Sequence, residues 1–453
     1  MRRDVPQTGV SEALPREGSL RQDSGVRRWF VPDLALVASL VTLFYCLFLF
    51  EGYQKLFRDS DSGWHIRVGE SMLSTGQLPR TDPYSFSLGA RPWFAWEWGA
   101  DVLMGAAHRL AGLSGVAFLY GLAIAAGVWL WFRLNWIAEG NFLLACALAA
   151  PMLTTAGIHW LARPHVLSWV FLLLAVTAAE RRPRLVWIGL GSALWANIHA
   201  SFFLAPVLAG LYALAHVARP LIWDADRDRE WGQARWYGLA AAVSAVSTLV
   251  NPYGWNLHRH VITYLSDSEL LARIGEFQSF NFHADGALQI GLAMGVAWMG
   301  GILALGQGKL AHFLLVALIA GAALRSARGL PLVGLLLLPL ANGAITRGLA
   351  NWQGLQSRLR RGIDSFLAYS SRLRELDRGG SGLAWAPVAA VFVFLMLKTP
   401  GIAARTGFPP DQFPVAAAGR LPENARLLAP DKFGGYLIYR FAGKRQVFFD
   451  GRS

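Results

Sequence analysis

The chain has 453 residues, of which 54% are hydrophobic and only 16% are charged, and its formal net charge is +13. Soluble domains carry about 25% charged residues. Apolar runs recur along almost the whole chain, so the composition excludes a soluble protein and predicts a polytopic membrane protein. The positive charge fits cytoplasmic loops that orient the spans. No basic, aromatic-interleaved face accompanies it, which argues against nucleic acid as a partner.

The N-terminal segment, residues 1–30, is polar and has no apolar core, so we predict a disordered cytoplasmic tail rather than a signal peptide. A transmembrane domain follows over 31–400. Its first span, 31–50, comes directly after Arg27 and Arg28, and this charge places the tail inside and the loop 51–113 outside. The other predicted spans are 114–134, 141–158, 165–180, 185–199, 201–218, 236–251, 287–306, 310–325, 329–346 and 383–400.

Two of these spans come from one apolar run, 185–218, which is too long for a single crossing of ~20 residues. We split it at Asn197-Ile198-His199, where polar side chains indicate a tight turn. About eleven spans result. This arrangement places most loop arginines on the inner side, including those of the basic connection 347–381, as the positive-inside rule requires.

The C-terminal segment 401–453 is then predicted to lie outside the membrane. Within it, residues 427–440 and 446–452 read as two short strands around a Gly-Gly turn, which predicts a small α/β stub. The chain stops directly after the second strand. We interpret this as a truncated reading frame or a missing soluble domain.

Unusual polar side chains fall almost entirely in the predicted outer loops and at the outer ends of spans. They are Asp59, Asp61 and His65, Glu97 and Asp101, Arg163 and His165, Asn197 and His199, Asn251, His258 and His260, Glu276 and Gln278, and Arg325 and Arg328. Polar groups near hydrocarbon are costly and usually functional. Each pair taken alone fits a residue held by headgroups and water. Convergence from so many loops favours a single extracytoplasmic cavity.

Two short amphipathic helices are predicted in the first outer loop. In the first, over 61–73, Asp61 and His65 are four residues apart and therefore share a face. In the second, over 96–111, Glu97 and Asp101 share a face in the same way. Tryptophans in and between the two helices suit the headgroup level of a membrane.

Two side-chain types in these clusters have a defined chemistry. An aspartate at a membrane surface can deprotonate a hydroxyl when burial or a neighbouring charge tunes its pKa, although a helix cap is an equally good role for Asp59. Asp59 and Asp61 together are suited to share Mg²⁺ or Mn²⁺. Arg163, Arg325 and Arg328 either bind a phosphate, which a guanidinium matches in shape, or anchor span ends at the headgroups.

The motifs resemble those of bacterial GT-C-type glycosyltransferases that use polyprenyl-phosphate sugars, and more closely those of their uncharacterised multi-spanning relatives. They are D-x-D-x-x-W-H from Asp59, Gly69, G-x-x-P-x-x-D-P-Y-S from Gly76, R-P-W-x-x-x-E-W from Arg91, RPHVLSW, WANIHASFF, NPYG, EFQS and the terminal GGYLIY and VFFDGR. The resemblance covers about residues 30 to 453. One departure is Gly63, where relatives often have an aromatic residue.

The resemblance implies a GT-C-like helical bundle whose large first outer loop carries two surface helices. It implies an inverting transfer of a sugar from a polyprenyl-phosphate donor to a lipid or glycan acceptor, at the bacterial inner membrane. The family's catalytic acid maps onto Asp59 or Asp61, and its neighbour His65 favours Asp61. The donor phosphate is expected among Arg163, His165, Arg325 and Arg328, and further lining is expected from Asn197, His199 and Glu276.

Other functions also fit these features. A transporter or flippase of lipid-linked saccharides uses a similar bundle, but such proteins often contain paired repeats and polar groups at the midplane, which are not visible here. A non-catalytic scaffold on the same fold would recruit partners through the outer loop or the basic connection. An oligosaccharide polymerase or ligase also uses outer-face Arg and His. The acid-rich loop favours a transferase over the scaffold.

Overall fold

The computed structural model describes residues 25–87, 89, 91–354, 356–422 and 425–452. These residues are mostly helical, and β structure among them is limited to isolated bridges that pair Thr81 with Pro92, Ser85 with Val447, and Leu427 with Val447. The predicted helical class is therefore confirmed over this part of the chain. Residues 1–24 of the predicted tail lie outside the described residues, and the short helix Gly25–Phe30 follows them.

The helices follow one another closely along the chain. The first half contains Leu34–Phe48, Gly52–Lys55, Asp61–Thr75, Trp98–Ile137, Phe142–Gly157, Pro164–Arg181, Leu185–Ala196 and Leu204–Ile222. The second half contains Arg227–Ser247, Trp255–Ser266, Ser268–Arg273, Ala287–Gly306, Leu310–Arg325, Leu330–Leu332, Leu338–Asn351, Ser357–Arg378, Trp385–Leu397, Pro400–Ala403, Val415–Ala418 and Asp431–Arg440. Short 3₁₀ turns at Leu49–Glu51, Ala200–Phe203, Gly275–Phe277 and Ala327–Gly329 and a π-helical turn at Val333–Leu337 connect some of them.

Five helical segments of the described chain are long and apolar enough to cross a membrane. They are Gly25–Lys55, Trp98–Ile137, Ala200–Ile222, Ala287–Gly306 and Ala327–Asn351. Shorter apolar helices accompany them at Phe142–Gly157, Leu185–Ala196, Leu310–Arg325 and Trp385–Leu397. The chain is a helical membrane protein. The predicted number of eleven spans is not confirmed by these segments and stays a prediction.

Both predicted loop helices are present. The first is Asp61–Thr75, hereafter the surface helix. The second is the start of Trp98–Ile137, hereafter the kinked helix, which breaks at Ala111 and Gly112 before it continues as a span. Gly112 has a φ of 63°, a left-handed conformation that glycine adopts without steric cost. The predicted loop helix and the following span are therefore two parts of one kinked helix.

The surface helix and the kinked helix cross closely at two glycines. A Cβ atom at Gly105 would lie 2.5 Å from the backbone nitrogen of Glu70, and a Cβ at Gly69 would overlap the carbonyl oxygen of Asp101. Only glycine permits this approach of the two backbones. The crossing brings His65 of the surface helix to Asp101 of the kinked helix.

The split of the long apolar run is confirmed. One helix ends at Ala196, a 3₁₀ turn begins at Ala200, and the next helix begins at Leu204. The side chain of His199 accepts a hydrogen bond from the backbone nitrogen of Ser201 and so caps the turn.

The predicted α/β stub is wrong for its first strand, because 427–440 contains the helix Asp431–Arg440, hereafter the C-terminal helix. Gly435 does not form a turn. It lies against the surface helix at Gly63, where a Cβ at position 63 would overlap the carbonyl oxygen of Gly435. This contact also explains the glycine at position 63, since an aromatic side chain there would separate the two helices. The second piece, 446–452, takes part only in isolated bridges through Val447.

The basic connection 347–381 contains the helix Ser357–Arg378. Arg374 near its C-terminal end donates to the carbonyl oxygen of Trp136 at 2.7 Å. Because Trp136 is close to the end of the kinked helix, the connection is attached to the side of the bundle opposite to the surface helix. This agrees with the predicted separation of an acid-rich side from an arginine-rich side.

Candidate active site

A cavity of about 680 Å³ opens between the start of the surface helix, the residues that precede the kinked helix and the loops that precede Pro164, Ala200 and Leu330. Its polar lining comes from separate parts of the chain: Arg58, Asp59, Asp61, Glu97, His159, Arg163, His165, His199, Glu276, Arg328, Asp431, Lys432 and Arg452. Tryptophans 64, 93, 96 and 169 and aliphatic residues form the remaining wall. Residues from several of the predicted polar clusters line this cavity, whereas the cluster of Asn251, His258 and His260 does not.

Arg163 is at the centre of this lining and contacts three carboxylates. Its Nη1 atom lies 2.8 Å from Asp59 Oδ2 and 3.1 Å from Glu276 Oε1, and its Nη2 atom lies 2.8 Å from Asp61 Oδ2. Arg163 precedes Pro164, the first residue of a helix, and has an extended backbone as residues before proline generally do. The start of this helix therefore holds the guanidinium next to Asp59 and Asp61 of the first loop.

Glu276 links this cluster to a second arginine. Its Oε2 atom accepts a hydrogen bond from Arg328 Nε at 2.7 Å, and its backbone oxygen accepts one from Ser326 Oγ at 3.0 Å. Burial alone would raise the pKa of Glu276, but the charges of Arg163 and Arg328 outweigh burial and lower the pKa to about 2. Glu276 is therefore ionised and orients both arginines.

The two aspartates differ in their contacts. Asp59 uses Oδ1 to accept the backbone N–H of Asp61 at 2.9 Å and Oδ2 to bind Arg163. It therefore has the capping role considered from the sequence. Asp61 uses Oδ2 for Arg163, while its Oδ1 faces Gly451, whose missing side chain leaves room for it. Burial raises the pKa of Asp61 to about 7, although Arg163 acts in the opposite direction.

His65 does not form the predicted pair with Asp61. Its Nδ1 atom lies 2.5 Å from Asp101 Oδ1, and the ring of Trp64 packs on it with ring centroids 3.6 Å apart. The glycine crossing turns the imidazole towards the kinked helix, away from the cluster around Arg163. His65 and Asp101 are buried behind the cavity wall and hold the two loop helices together.

Glu97 lies between the buried His65 and the cavity-lining His199. Its Oε1 atom lies 3.3 Å from His199 Nε2, and its Oε2 atom lies 3.7 Å from His65 Nε2. Burial raises the pKa of Glu97 to about 7, partly offset by Arg163 and Arg328. Burial and the same arginines lower the pKa of His199 to about 3, so this imidazole is neutral at pH 7. Glu97 is a second carboxyl group able to titrate near neutral pH.

Besides His65 and Asp101, two further predicted site residues lie outside the cavity lining. Asn197 accepts a hydrogen bond from Trp98 Nε1 at 2.8 Å and donates to the carbonyl oxygens of Ala193 and Val250, so it ties loops together. Arg325 is exposed at the last residue of its helix. The 3₁₀ turn Ala327–Gly329 follows, and Arg328 within that turn lines the cavity instead. His165 lies in the lining, as predicted, with Nε2 3.0 Å from the carbonyl oxygen of His159.

Sequence reasoning missed the contribution of the C-terminal segment. Arg452 is buried, with Nη2 2.8 Å from Asp82 Oδ1 and Nε 2.6 Å from Asp450 Oδ1, and its guanidinium lies 5.0 Å from the ring centroids of Tyr84 and Trp93. The segment closes the cavity beside Asp61. Both D-P-Y-S and F-F-D-G-R were recognised as motifs, but nothing local in either one indicates that they pair.

The two aspartates do not have the arrangement that a divalent metal needs. Their Oδ2 atoms, which would be first choices as ligands, both lie 2.8 Å from nitrogen atoms of Arg163. Among the described residues, no three His, Cys, Asp or Glu side chains converge in a way that could hold a metal ion. Asp59 and Asp61 remain a carboxylate pair, but their partner is a guanidinium.

No protein-family model and no curated protein matches this sequence. Two solved structures of an oligosaccharyltransferase from Archaeoglobus fulgidus are similar in fold. The apo form has 12% identity and a TM-score of 0.50, and the enzyme AglB in complex with an inhibitory peptide and a dolichol-phosphate has 11% identity and a TM-score of 0.52. Each comparison covers 92% of this chain and 64% of the other.

The chain thus spans 64% of the length of these neighbours. Sequence identities this low show that the folds are similar and do not show a shared activity or substrate. Because an oligosaccharyltransferase of this type has a GT-C fold, the expected GT-C-like bundle is confirmed at that level.

Proposed function

We propose that this chain is a membrane glycosyltransferase, which moves a sugar from a polyprenyl-phosphate donor to an acceptor on the extracytoplasmic side of a bacterial inner membrane. The observation that carries the proposal is the cluster around Arg163, because it joins a candidate base, Asp61, to candidate phosphate ligands, Arg163 and Arg328, on one cavity wall. Glycosyl transfer needs both, since the acceptor loses a proton while the donor phosphate leaves with negative charge.

In the proposed reaction, the acceptor hydroxyl oxygen attacks the anomeric carbon of the donor sugar. The bond between that carbon and the phosphate oxygen breaks with inversion, and its electron pair leaves with the polyprenyl phosphate. The hydroxyl proton passes to Asp61. The charge of the leaving phosphate is stabilised by Arg163 and Arg328, which are already oriented by Glu276 and need not rearrange.

Asp61 is a better base than Asp59 for two reasons. Both carboxylate oxygens of Asp59 have protein partners, whereas Asp61 keeps Oδ1 next to the side-chain-free Gly451. A general base works best when its pKa is near the working pH, and burial brings the pKa of Asp61 to about 7. Glu97 has a similar pKa, but it contacts His199 instead of Arg163 and is a candidate to orient the acceptor.

Two observations support the proposed orientation of the chain in the membrane. Arg27 and Arg28 precede the first span and favour a cytoplasmic N-terminus. The C-terminal helix packs on the surface helix, which supports placing residues 431–440 on the same side as the first loop, the side proposed to be extracytoplasmic. A lipid-phosphate donor agrees with the dolichol-phosphate bound by the archaeal neighbour. The acceptor is proposed to be a lipid or a glycan.

The proposal is tested with purified protein in nanodiscs that contain polyprenyl-phosphate-linked hexoses or pentoses, with transfer or release of the sugar as the readout. The matched variants are Arg328→Ala, inside the cavity, and Arg325→Ala, three positions away and exposed. We expect about tenfold weaker donor binding for the first, as for the loss of one charge-assisted phosphate contact, and no change for the second.

Two results would contradict the proposal. Saturable donor binding without turnover would favour the transporter or the scaffold. Equal effects of the two arginine variants would mean that the cavity does not bind the donor phosphate.

A further inference from the structure

The carboxylate cluster of this site already contains a cation. We infer that Arg163 takes the place that a divalent metal would occupy among Asp59, Asp61 and Glu276, so that this chain binds and transfers its substrate without a metal ion. The inference rests on the proposed function for the transfer step. The part that concerns metal binding stands on the geometry alone.

The contacts of Arg163 are those of a shared central ion. One guanidinium lies within 3.1 Å of oxygen atoms from three carboxylates, which come from the first loop and from the 3₁₀ turn at Gly275–Phe277. Only 16% of its side-chain surface is exposed. A divalent ion that bridged the same oxygens would have to displace the guanidinium from a site in which it is held on three sides.

The charges of the cluster are already close to balance. The carboxylates of Asp59, Asp61 and Glu276 face the guanidinium groups of Arg163 and Arg328. Two like charges at contact distance repel strongly where water is scarce. A metal ion next to Arg163 would therefore meet repulsion in addition to competition for ligands.

The two kinds of cation also require different geometry. Mg²⁺ needs oxygen ligands at about 2.0–2.1 Å in an octahedron. A guanidinium is a planar fork that binds carboxylates at about 2.7–2.9 Å through separate N–H groups. The measured nitrogen–oxygen distances of 2.8, 2.8 and 3.1 Å match the second case. Glu276 is additionally committed to Arg328 through its other oxygen.

A fixed guanidinium can supply what a metal would supply at this position. It presents positive charge to the leaving phosphate, and it holds Asp61 in one orientation beside Gly451. Unlike a metal, it does not depend on the concentration of free ions outside the membrane.

The test measures Mn²⁺ binding by electron paramagnetic resonance on purified protein in nanodiscs, with and without polyprenyl phosphate, together with sugar transfer before and after EDTA. For the natural chain we expect no Mn²⁺ bound at the cluster in either condition, and transfer unchanged by EDTA. Arg163→Ala leaves three carboxylates without their central cation. We expect this variant to bind Mn²⁺ at least about tenfold more tightly than the natural chain, because a repelling charge is lost.

Matched variants make the outcome specific. Arg325→Ala removes an exposed arginine outside the cavity and is expected to leave Mn²⁺ binding unchanged. Adding Asp59→Asn to Arg163→Ala is expected to abolish the gained binding. If Arg163→Ala does not fold, the Mn²⁺ and EDTA measurements on the natural chain still decide the inference.

The inference is overturned if the natural chain binds one Mn²⁺ that Asp59→Asn removes, or if EDTA stops transfer and Mn²⁺ restores it. Absence of transfer with every donor would instead contradict the proposed function, and the Mn²⁺ result would still stand.

Discussion

At the scale of single residues, Asp59 and Asp61 show how neighbours two positions apart receive different roles. Asp59 caps the surface helix by accepting the backbone N–H of Asp61, and its other oxygen binds Arg163. Asp61 is the first residue of that helix, is buried, and keeps one oxygen towards Gly451. The D-x-D motif by itself does not distinguish the two aspartates. Their different roles come from the residues that the rest of the chain places around them.

Asp61→Asn should abolish sugar transfer. The amide cannot accept the proton of the acceptor hydroxyl, and loss of a general base typically costs about 10²–10⁴-fold in turnover. Asp59→Asn should have a smaller effect on turnover, since it weakens the cap and one contact of Arg163 but leaves the base. Transfer assays on both variants, with donor binding as a check of folding, separate the two. Equal losses would reject Asp61 as the base.

The pH dependence of transfer should contain a limb near pH 7. Asp61 acts only when ionised, and burial raises its pKa to about 7, so turnover is present above this pH and is lost as the pH falls below it. Glu97 also has a pKa of about 7. A pH profile of Glu97→Gln therefore assigns the limb: it persists in this variant if Asp61 is the base and disappears if Glu97 is the group that titrates.

At the scale of elements, the first loop is held in place by close helix packing. The surface helix meets the kinked helix at Gly69 and Gly105, and it meets the C-terminal helix at Gly63. The absence of side chains at these positions lets backbones touch and aligns the polar faces. The His65–Asp101 contact, at 2.5 Å, exists only because this crossing is close.

Gly105→Ala should destabilise the loop. The added Cβ would lie 2.5 Å from the backbone nitrogen of Glu70, and overpacking of this kind costs about 1–3 kcal/mol. Gly127→Ala is the matched control, since it changes the same helix at a position with no atom of another residue within 4 Å of the new Cβ. Thermal unfolding in nanodiscs should show a lower midpoint only for the first variant. A shift of similar size in both would mean that the crossing is not tight.

At the scale of the whole molecule, the C-terminal end of the described chain returns to the first loop. The N-terminal helix leads into the first span, while residues 446–452 return to the loop and pair with 84–86 through hydrogen bonds of Val447 with Tyr84 and Phe86. Arg452 completes this return by its contacts with Asp82 and Asp450. The cavity is therefore closed by residues more than 350 positions apart in sequence.

Arg452→Ala should weaken the attachment of residues 446–452 to the first loop. Removal of one partner from a buried ion pair is strongly destabilising, so the C-terminal segment should become accessible to limited proteolysis and transfer should fall at least about tenfold. Arg440→Ala, an exposed arginine at the end of the C-terminal helix, is the control. If both variants resist protease as the natural chain does, the segment is held by other contacts.

Much of the architecture was predictable because its signals are local. Apolar run length indicates spans, a polar interruption at Asn197-Ile198-His199 indicates a turn, and four-residue spacing indicates the faces of both loop helices. The errors also have local causes. A Gly-Gly pair between apolar residues indicates a turn, but in the C-terminal helix it allows a helix–helix contact. Arg325 and Arg328 look equivalent in the sequence until a 3₁₀ turn separates an exposed side chain from one in the cavity.

The sequence by itself determined that this is a helical membrane protein, and it predicted that the acidic, histidine and arginine clusters lie on one side of it, since composition and periodicity act over short stretches of chain. Only the tertiary structure decided which groups meet. It placed Arg163 between Asp59, Asp61 and Glu276, gave His65 to Asp101 instead of Asp61, and brought Arg452 to Asp82. Such contacts depend on the packing of distant backbones, and no local spacing encodes them.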